Sequence, residues 1–295
     1  MLRLLAPAKL NLYLRVVAKR PDGYHELETV FERIDLADEL LLEPRIGDLS
    51  LTCADSALSC GEDNLIVRAG RLLQAVTKTS HGATLQLIKR IPIAAGLGGG
   101  SSDAAAALLG LNELWGLGLS RVRLTELAAR LGSDVPFFLG ESPFAIGRGR
   151  GERCEPLPAA GPLAHVLVVP HAQLLTKDIY ARSRFGLTAS GPSLTMVAHA
   201  LSNGSLGELA SGLRNDLEPE AIRRCPVIAQ IQAQVRLAGA HGVLVSGSGP
   251  AVFGLCDHAA HAQAVTDQLS RRADHSWRIM IVQTLDRIGS LAPVA

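Results

Sequence analysis

Several patterns that would assign a chain quickly to a class are missing from this sequence. Its 29 lysines and arginines nearly balance 28 acidic residues, and the net charge of +1 comes without a basic block. Nucleic-acid binders need clustered cations to neutralise phosphates, so no nucleic-acid partner is expected. The five cysteines form no C-x-x-C pair. This argues against a zinc site and a disulfide framework, and favours free thiols in a reducing cytoplasm.

Membrane and export signals are also missing. The opening "MLRLLAPAKLNLYLRV" has no apolar signal-peptide core. Residues 157–176 contain no Asp, Glu, Lys or Arg, but Pro158, Pro162 and Pro170 interrupt them. Proline inside a helix removes a hydrogen bond and breaks the helix, so a membrane span is not expected. These features predict a cytoplasmic protein without a membrane partner, and they leave a monomer and a homodimer both open.

The composition predicts a mixed fold with a sizeable core. With 295 residues, 47% of them hydrophobic, the chain can form one large domain or two ordinary ones. Strands are predicted at 8–16, 28–36, 39–44, 83–91, 165–169, 241–246, 251–256 and 277–283; helices are predicted at 64–77, 102–115, 121–131, 193–202, 226–238 and 258–271. The first of these do not alternate regularly, which favours α+β over a doubly wound parallel sheet. Residues 155–164, rich in Pro, Ala and Gly, predict a domain boundary.

The most informative stretch is "PIAAGLGGGSSDAAAALL" at 92–109, where Gly96, Gly98, Gly99 and Gly100 fall within five residues. A helix is predicted to begin near Ser102, because the types of residue at 101–103 favour helix N-caps. Helix N-termini offer unpaired N–H groups and partial positive charge, and glycines let the backbone close around an anion. The stretch therefore predicts a phosphate-binding loop. The alternative is a flexible turn capped by serine.

Common phosphate loops and catalytic motifs do not match this stretch. The chain contains no Gly-Lys pair, so a Walker loop is excluded, and neither Gly96 nor Gly98 starts a G-x-G-x-x-G/A fingerprint. The H-R-D and D-F-G motifs of protein kinases are absent, and no G-x-S-x-G elbow surrounds the serines.

Three motifs in order resemble those of the GHMP kinases: "PAKLNLYLRV" at 7–16, the glycine stretch, and "VSGSGPAVFGL" at 245–255. The resemblance implies a two-domain α+β fold. A ribosomal S5 domain 2-like N-terminal domain would span 1–157 and carry the glycine loop. A GHMP kinase C-terminal domain would span 158–286, with the active site in the cleft between the two.

Four further stretches resemble one member of that family: "KRPDGYHELETVF" at 19–31, "EDNLIVRA" at 62–69, "LGSDVPFFL" at 131–139 and "NDLEP" at 215–219. That resemblance implies ATP and a cytidyl-diphosphate methylerythritol substrate as partners. The reaction would be transfer of the γ-phosphoryl group to the 2-hydroxyl on a tertiary carbon, in the non-mevalonate route to isoprenoid precursors. Mg²⁺ is implied by ATP. No dense carboxylate cluster marks its ligands, so Ser101, Ser102 or a water shell could hold it.

The same resemblance assigns roles to individual residues. The catalytic pair would be Asp134, accepting the hydroxyl proton, and Lys9 beside it. The ATP-binding residues would be Gly96, Leu97, Gly98, Gly99, Gly100, Ser101 and Ser102, with Asn64 and Lys89 near the sugar and adenine. The substrate-binding residues would be Asn11, Tyr24, His25, Thr176, Tyr180, Gly247, Ser248 and Gly249, with Tyr24 stacked on the cytosine, His25 at its edge and Tyr180 as a possible opposite face.

Each assignment has a plainer alternative. Asp134 could cap a helix, Lys9 could be a surface lysine, Tyr24 could pack at a loop tip, and "GSGP" could be a hairpin turn. Asn215 and Glu218 are expected to brace the site rather than react. The sequence departs from the usual family pattern at Ala94, Ala95 and Asp103, and Asp103 adds a carboxylate near the phosphates or the metal. Two alternative functions stay open: a GHMP kinase for another alcohol, such as mevalonate or a homoserine-like substrate, and a non-catalytic ligand sensor with this fold.

Overall fold

The structure is a computed structural model that describes residues 1–183, 191–271, 276–285 and 292–293. The strands are β1 (Leu2–Lys19), β2 (His25–Ile46), β3 (Leu49–Cys53), β4 (His81–Ile88), β5 (Phe144–Gly149), β6 (Arg153–Pro156), β7 (Ala164–Val169), β8 (Arg214–Asn215), β9 (Gly242–Val245), β10 (Val252–Cys256), β11 (Arg278–Gln283) and β12 (Ala292–Pro293). The helices are α1 (Leu65–Thr77), α2 (Gly99–Leu114), α3 (Arg121–Leu131), α4 (Val135–Leu139), α5 (Thr176–Arg182), α6 (Leu194–Asn203), α7 (Leu206–Gly212), α8 (Glu218–Arg224), α9 (Val227–Leu237) and α10 (Ala259–Ser270).

Two long antiparallel strands organise the first sheet. β1 and β2 pair from Leu2↔Leu42 to Lys19↔His25, with register shifts that bend the ribbon. Residues 39–46 of β2 pair with β4, and residues 27–32 pair with β5, so β2 has different partners along its length. The sheet runs in the order β12-β1-β2-β4-β3, with β5, β6 and β8 attached beside this path.

Helices α1 to α4 cover the first sheet and enclose its core. Helix α2 is buried on nearly every side from residue 102 to residue 108, which explains its run of alanines. Alanine combines high helix propensity with a small side chain, so the helix can lie close to the strands and to its neighbours. Gly110 continues that close approach, because a Cβ there would lie 2.9 Å from side-chain atoms of Leu4 and Leu42.

The second sheet has the order β11-β7-β10-β9 and is antiparallel throughout. Helices α8, α9 and α10 supply Ala221, Val235 and Val265 to the core on one side of it. Another core joins Leu10 and Leu12 of β1 to residues of the second sheet. None of the helices in the described part of the chain has the length and apolar character needed to cross a membrane.

Later segments also pair directly with the first sheet. β8 runs parallel to β1 through Tyr13↔Arg214, and an isolated bridge joins Ile34 to Thr284. The observed fold confirms the predicted α+β class. The predicted boundary region of 155–164 corresponds to the connection between β6 and β7, since β6 ends at Pro156 and β7 begins at Ala164. Residue 286, the predicted end of the second domain, lies outside the described residues.

Several element predictions were wrong in detail. The runs at 28–36 and 39–44 form the single strand β2, and β3, β5 and β6 were not predicted. β5 reads "FAIGRG", and glycine in a strand obscures the alternation on which strand prediction depends. Helix α2 begins at Gly99 rather than near Ser102, because Gly98 adopts a left-handed φ of 70° as its N-cap. The serines predicted as caps therefore lie inside the first turn.

Candidate active site

A cavity of about 1190 Å³ brings together residues from distant parts of the chain. The predicted site residues that line it are Lys9, Asn11, Tyr24, His25, Lys89, Gly96, Leu97, Gly98, Gly99, Gly100, Ser101, Asp134, Thr176, Tyr180, Gly247 and Ser248. Three other predicted residues, Asn64, Ser102 and Gly249, do not line it. Its size is sufficient for more than one small-molecule ligand, since pockets for single drug-sized ligands have about 300–1,000 Å³.

The glycine loop forms the cavity wall at the start of α2. Gly96 and Gly98 have φ of 82° and 70°, values that favour glycine. Ser102 N–H donates to the Gly98 carbonyl at 3.0 Å as the first turn closes. The N–H groups of Gly99, Gly100 and Ser101 precede that bond and have no acceptor within the helix. The loop thus presents several backbone donors and the positive end of a 16-residue helix to the cavity.

The loop between β9 and β10 packs against the glycine loop. A Cβ on Gly96 would lie 2.0 Å from the Ser246 carbonyl oxygen, so only glycine permits this approach. Ser246 Oγ donates to the Gly96 carbonyl at 3.0 Å, and Ala251 N–H donates to the Ala95 carbonyl at 3.1 Å. Gly247 is less tightly restricted: its φ of 54° favours glycine, and a Cβ would lie 3.0 Å from the Gly96 carbonyl oxygen. The third motif therefore does more than turn a hairpin: it supports the glycine loop.

Lys9 lies on β1 inside the cavity and is 3% exposed, which rules out the alternative of a surface lysine. Its backbone N–H donates to the Leu97 carbonyl at 2.9 Å, tying β1 to the glycine loop. Its ammonium donates to Asn11 Oδ1 and lies 3.9 Å from Asp134 Oδ2. Burial lowers the pKa of Lys9, and the charge of Asp134 opposes that shift. Asn11 is oriented in turn by its Nδ2 donating to Thr29 Oγ1 at 2.8 Å.

Asp134 is the residue before α4, but its side chain makes no capping hydrogen bond to that helix. The carboxylate lines the cavity beside Lys9 instead, with a third of its side-chain surface exposed. The other end of α4 is held by Arg33 of β2, whose Nη2 donates to the carbonyls of Phe137 and Gly140 at 3.0 Å each. Burial lowers the pKa of Arg33 to about 10.

Lys89 forms a buried ion-pair network behind the glycine loop. Its ammonium lies 2.5 Å from Asp38 Oδ2 and 3.0 Å from Asp103 Oδ2. A Cβ added to Gly99 would lie 3.0 Å from this nitrogen, so the network directly underlies the loop. Burial raises the pKa of Asp103 to about 7, against the opposing effect of Lys89. Among the described residues, Asp103 Oδ1 has no hydrogen-bond partner.

Two predicted ATP residues have other contacts. Asn64 caps α1: its Oδ1 accepts from Ile66 N–H at 2.9 Å, and its Nδ2 donates to the Ser59 carbonyl at 2.6 Å. Ser102 is buried, and within the described chain its hydroxyl has no partner. The neighbouring Leu65 does line the cavity. A nucleotide role for Asn64 or Ser102 stays a prediction.

The other end of the cavity carries the aromatic residues. Gly23, with φ of 85°, makes the turn before Tyr24, whose N–H donates to Asp22 Oδ1 at 3.1 Å. Tyr24 is 52% exposed, and the guanidinium of Arg150 lies 4.7 Å from its ring centroid. The rings of His25 and Tyr180 stack on each other at 5.2 Å. Burial and Lys19 lower the pKa of His25, which leaves its imidazole neutral at pH 7.

The remaining polar residues secure the loop after β9. Thr176 Oγ1 and Ser248 Oγ share a hydrogen bond of 2.9 Å at the cavity wall. Asn215 Nδ2 donates to the carbonyls of Val245 and Gly247, and Glu218 Oε2 accepts from Val245 N–H. These contacts agree with the predicted bracing role of Asn215 and Glu218, and that neither residue reacts stays a prediction. Gly249 precedes Pro250 through a cis peptide bond.

Sequence analysis missed Arg33, Arg150 and Asp38. Arg150 had a local signal, because it interrupts the glycines of "IGRGRGE". Arg33 had a weaker one, as the lone cation in the predicted strand at 28–36. Asp38 had none, since its partner Lys89 is 51 residues away.

Comparison with known proteins gives the class that this fold and cavity define. Residues 64–141 match the model of the GHMP kinases N-terminal domain, and residues 197–275 match that of the GHMP kinases C-terminal domain. Two solved structures share the fold. A homoserine kinase from Cytophaga hutchinsonii superposes with a TM-score of 0.74 at 19% identity, over 97% of this chain and 95% of that chain. The L. major mevalonate kinase superposes with a TM-score of 0.71 at 16% identity, over 96% of each chain. The class is the GHMP kinases, which makes the chain an ATP-dependent small-molecule kinase.

Closer relatives specify the group within that class. A 4-diphosphocytidyl-2-C-methyl-D-erythritol kinase of Pelotomaculum thermopropionicum is 44% identical over 96% of this chain and 97% of its own. A kinase of the same name from Geobacter sp. (strain M21) is 40% identical over 96% of this chain and 99% of its own. A crystal structure of 4-(cytidine 5'-diphospho)-2C-methyl-D-erythritol kinase superposes with a TM-score of 0.78 at 37% identity, over 95% of this chain and 98% of that one. The chain belongs to the 4-diphosphocytidyl-2-C-methyl-D-erythritol kinase family.

Proposed function

We propose that this chain transfers the γ-phosphoryl group of ATP to the 2-hydroxyl of 4-diphosphocytidyl-2-C-methyl-D-erythritol, giving the 2-phosphate and ADP. The observation that carries the proposal is a single cavity lined by the glycine loop, by aromatic rings and by Lys9 with Asp134. The product would serve the non-mevalonate route to isoprenoid precursors. We also propose a cytoplasmic location and a division of the chain into domains at 1–157 and 158–286.

Asp134 would accept the proton of the attacking hydroxyl. Its carboxylate is free of capping hydrogen bonds and lines the cavity, so it is able to receive a proton from a bound alcohol. Lys9, 3.9 Å away, would attract the γ-phosphate and stabilise the charge that develops on it. Asn11 and Thr29 hold the ammonium in place, which limits the reorganisation needed during transfer.

The glycine loop would bind the phosphate chain of ATP. Its helix N-terminus and unpaired N–H groups suit an anion. Lys89 lies beneath Gly99 and, paired with Asp38 and Asp103, would hold the loop in place. Phosphoryl transfer requires mainly positioning and charge neutralisation, and these groups supply both.

Mg²⁺ fits oxygen ligands at the same place. Asp103 Oδ1 is buried and without a partner among the described residues, and Ser101 offers a hydroxyl on the cavity wall. Carboxylate and hydroxyl oxygens are hard ligands of the kind Mg²⁺ prefers, with water and phosphate completing its shell. We propose Ser101 and Asp103 as the protein residues that would hold it. The ion would neutralise charge on the β- and γ-phosphates.

The aromatic end would bind the cytidyl group. Tyr24 presents one ring face, while Arg150 covers the other and holds the ring in place. A neutral His25 has one donor and one acceptor nitrogen, which suits the polar edge of cytosine. Tyr180 stacks on His25, so in this proposal it orients the imidazole rather than covering the base from the opposite side. Thr176 and Ser248 would contact the polar part of the substrate.

A substrate panel tests the proposal. Purified protein with ATP and MgCl₂ should release ADP with 4-diphosphocytidyl-2-C-methyl-D-erythritol and not with mevalonate or homoserine. Activity on one of those alcohols, but not on the cytidyl substrate, would assign the chain to another GHMP kinase reaction. Tight ATP binding without turnover on any acceptor would favour a ligand sensor. The proposed mechanism predicts turnover, because Lys9, Asp134 and the glycine loop are all present.

A further inference from the structure

A second cluster of reactive side chains lies at the end of the β9–β10 hairpin away from the cavity. His241 directly precedes β9, Asp257 directly follows β10, and His261 lies in the first turn of α10. The strand pairing, together with the 2.9 Å bond from His241 N–H to the Leu255 carbonyl, fixes the first two side by side. The cavity lining does not include any of these three described residues. The proposed kinase reaction therefore leaves this cluster without a role.

The geometry of the cluster is compact. Asp257 Oδ1 lies 2.9 Å from His241 Nε2, and Asp257 Oδ2 lies 2.9 Å from His261 Nδ1. One ligand atom from each residue can be chosen so that all lie within 4.8 Å of one another. A single carboxylate thus stands between two imidazoles, each facing one of its oxygens.

The position of His261 Nδ1 points to a cation. The backbone N–H of Asp257 reaches this nitrogen at 3.1 Å, a contact in which Nδ1 must accept. An accepting Nδ1 carries no proton, and it then faces Asp257 Oδ2 as one lone pair against another. A proton or a metal ion between the two atoms would relieve this repulsion, and either would take the lone pair that now accepts from the backbone N–H. A metal ion would in addition be coordinated by His241, which offers a third ligand atom within 4.8 Å of the other two.

We propose that His241, Asp257 and His261 bind a divalent transition-metal ion of the Zn²⁺ type. Two imidazole nitrogens and one carboxylate oxygen suit Zn²⁺, whereas Mg²⁺ and Ca²⁺ prefer oxygen ligands throughout. Bonds of about 2.1 Å in tetrahedral geometry place neighbouring ligand atoms about 3.4 Å apart. The two nitrogen–oxygen contacts of 2.9 Å are near that spacing, and the side chains of His241 and Asp257 are about half exposed and free to adjust.

The ion would join the end of the hairpin to the start of α10. His258 already fixes that helix start, since its Nδ1 accepts from His261 N–H at 3.1 Å. The four residues of β9 separate the cluster from the loop that supports the glycine loop, a length of about 13 Å. We therefore assign the ion a stabilising role in the second sheet and its helix, outside the chemical step.

Calorimetric titration of the full-length, tag-free protein with ZnCl₂ tests the site. We expect one Zn²⁺ per chain and a higher melting temperature in its presence, with no such effect of MgCl₂ at the same concentration. His241→Ala and His261→Ala should each weaken Zn²⁺ binding at least tenfold and abolish the thermal shift. His199→Ala is the matched control, because it removes an exposed histidine paired with a carboxylate, Glu208, at 3.6 Å outside the cluster.

The outcomes separate this site from others on the chain. Zn²⁺ binding that is unchanged in both histidine variants would place the ion elsewhere, for example on the partly exposed thiols of Cys53, Cys60 or Cys154, and would overturn the proposal. Absence of binding to the wild-type protein would overturn it as well. If a histidine variant does not fold, Asp257→Asn replaces it, since the amide keeps the shape of the carboxylate. Retention of wild-type affinity by Asp257→Asn would count against the site.

Discussion

Replacing Asp134 by asparagine should nearly abolish turnover while the protein stays folded. The amide keeps the size of the carboxylate but cannot accept the hydroxyl proton. Loss of a general base reduces rates by about 10²–10⁴, or roughly 2.7–5.5 kcal/mol in the barrier at about 1.36 kcal/mol per decade. The site adds a second effect: Asp134 raises the pKa of Lys9 against its burial, so the variant should lower that pKa further. Residual activity should therefore decline at a lower alkaline pH than in the wild type.

Steady-state kinetics with coupled detection of ADP would give kcat and KM separately, and titration calorimetry would give the affinity for the cytidyl substrate. The expected change is in kcat, with a substrate affinity close to that of the wild type. Asp267→Asn is the matched control, because Asp267 is an exposed residue on α10, away from the cavity. Its carboxylate accepts a hydrogen bond of 2.8 Å from Gln263 on the same helix. A folded Asp134→Asn variant with kcat within about threefold of wild type would remove Asp134 from the proton transfer.

Three further predictions concern the ligand ends of the cavity. Gly98→Ala should weaken ATP binding about tenfold or more, because the added Cβ would lie 2.9 Å from Lys9 Cγ at a φ of 70°. Gly116→Ala is the control, since Gly116 has a similar φ of 61° but nothing within 4 Å of the added Cβ. Equal ATP affinity in both variants would contradict this reason. Tyr24→Leu should weaken the cytidyl substrate about 5- to 150-fold, from roughly 1–3 kcal/mol of stacking, while calorimetry shows unchanged ATP affinity; equal losses for both ligands would indicate a misplaced site. Burial raises the pKa of Asp103 to about 7. Because only the ionised carboxylate would hold Mg²⁺, the MgCl₂ concentration needed for half-maximal turnover should increase as the pH falls from 8 to 6, and Asp103→Asn should raise that concentration and flatten its pH dependence; identical profiles in the variant and the wild type would show that Asp103 does not hold the ion.

The glycine loop could be predicted from sequence because its requirements are local. Gly96 and Gly98 need positive φ, and the residues around them must approach other backbone closely. Both requirements are met by glycine, so they are visible as glycines in the sequence. The start of α2 was harder to predict, because serines favour caps by propensity whereas the backbone of Gly98 provides the observed one. The helix starts three residues earlier than predicted, so the first unpaired N–H groups belong to the glycines.

The supporting contacts could not be predicted, because they join residues far apart in sequence. Lys89 was expected near the nucleotide, but its ion pairs with Asp38 and Asp103 depend on the packing of β2 against α2. Arg33 reaches the last carbonyls of α4 across more than 100 residues. The stacking of Tyr180 on His25 likewise requires α5 to lie over the turn after β1. Residue type alone does not specify these partners.

A crystal structure with a non-hydrolysable ATP analogue and 4-diphosphocytidyl-2-C-methyl-D-erythritol tests the central claim most directly. Both ligands should occupy the one cavity, with the phosphate chain on the N–H groups of the glycine loop and the cytosine against Tyr24. The 2-hydroxyl should lie within hydrogen-bond reach of Asp134, on the side facing the γ-phosphate and Lys9. Phosphates bound away from the glycine loop, or a 2-hydroxyl that does not reach Asp134, would contradict the account.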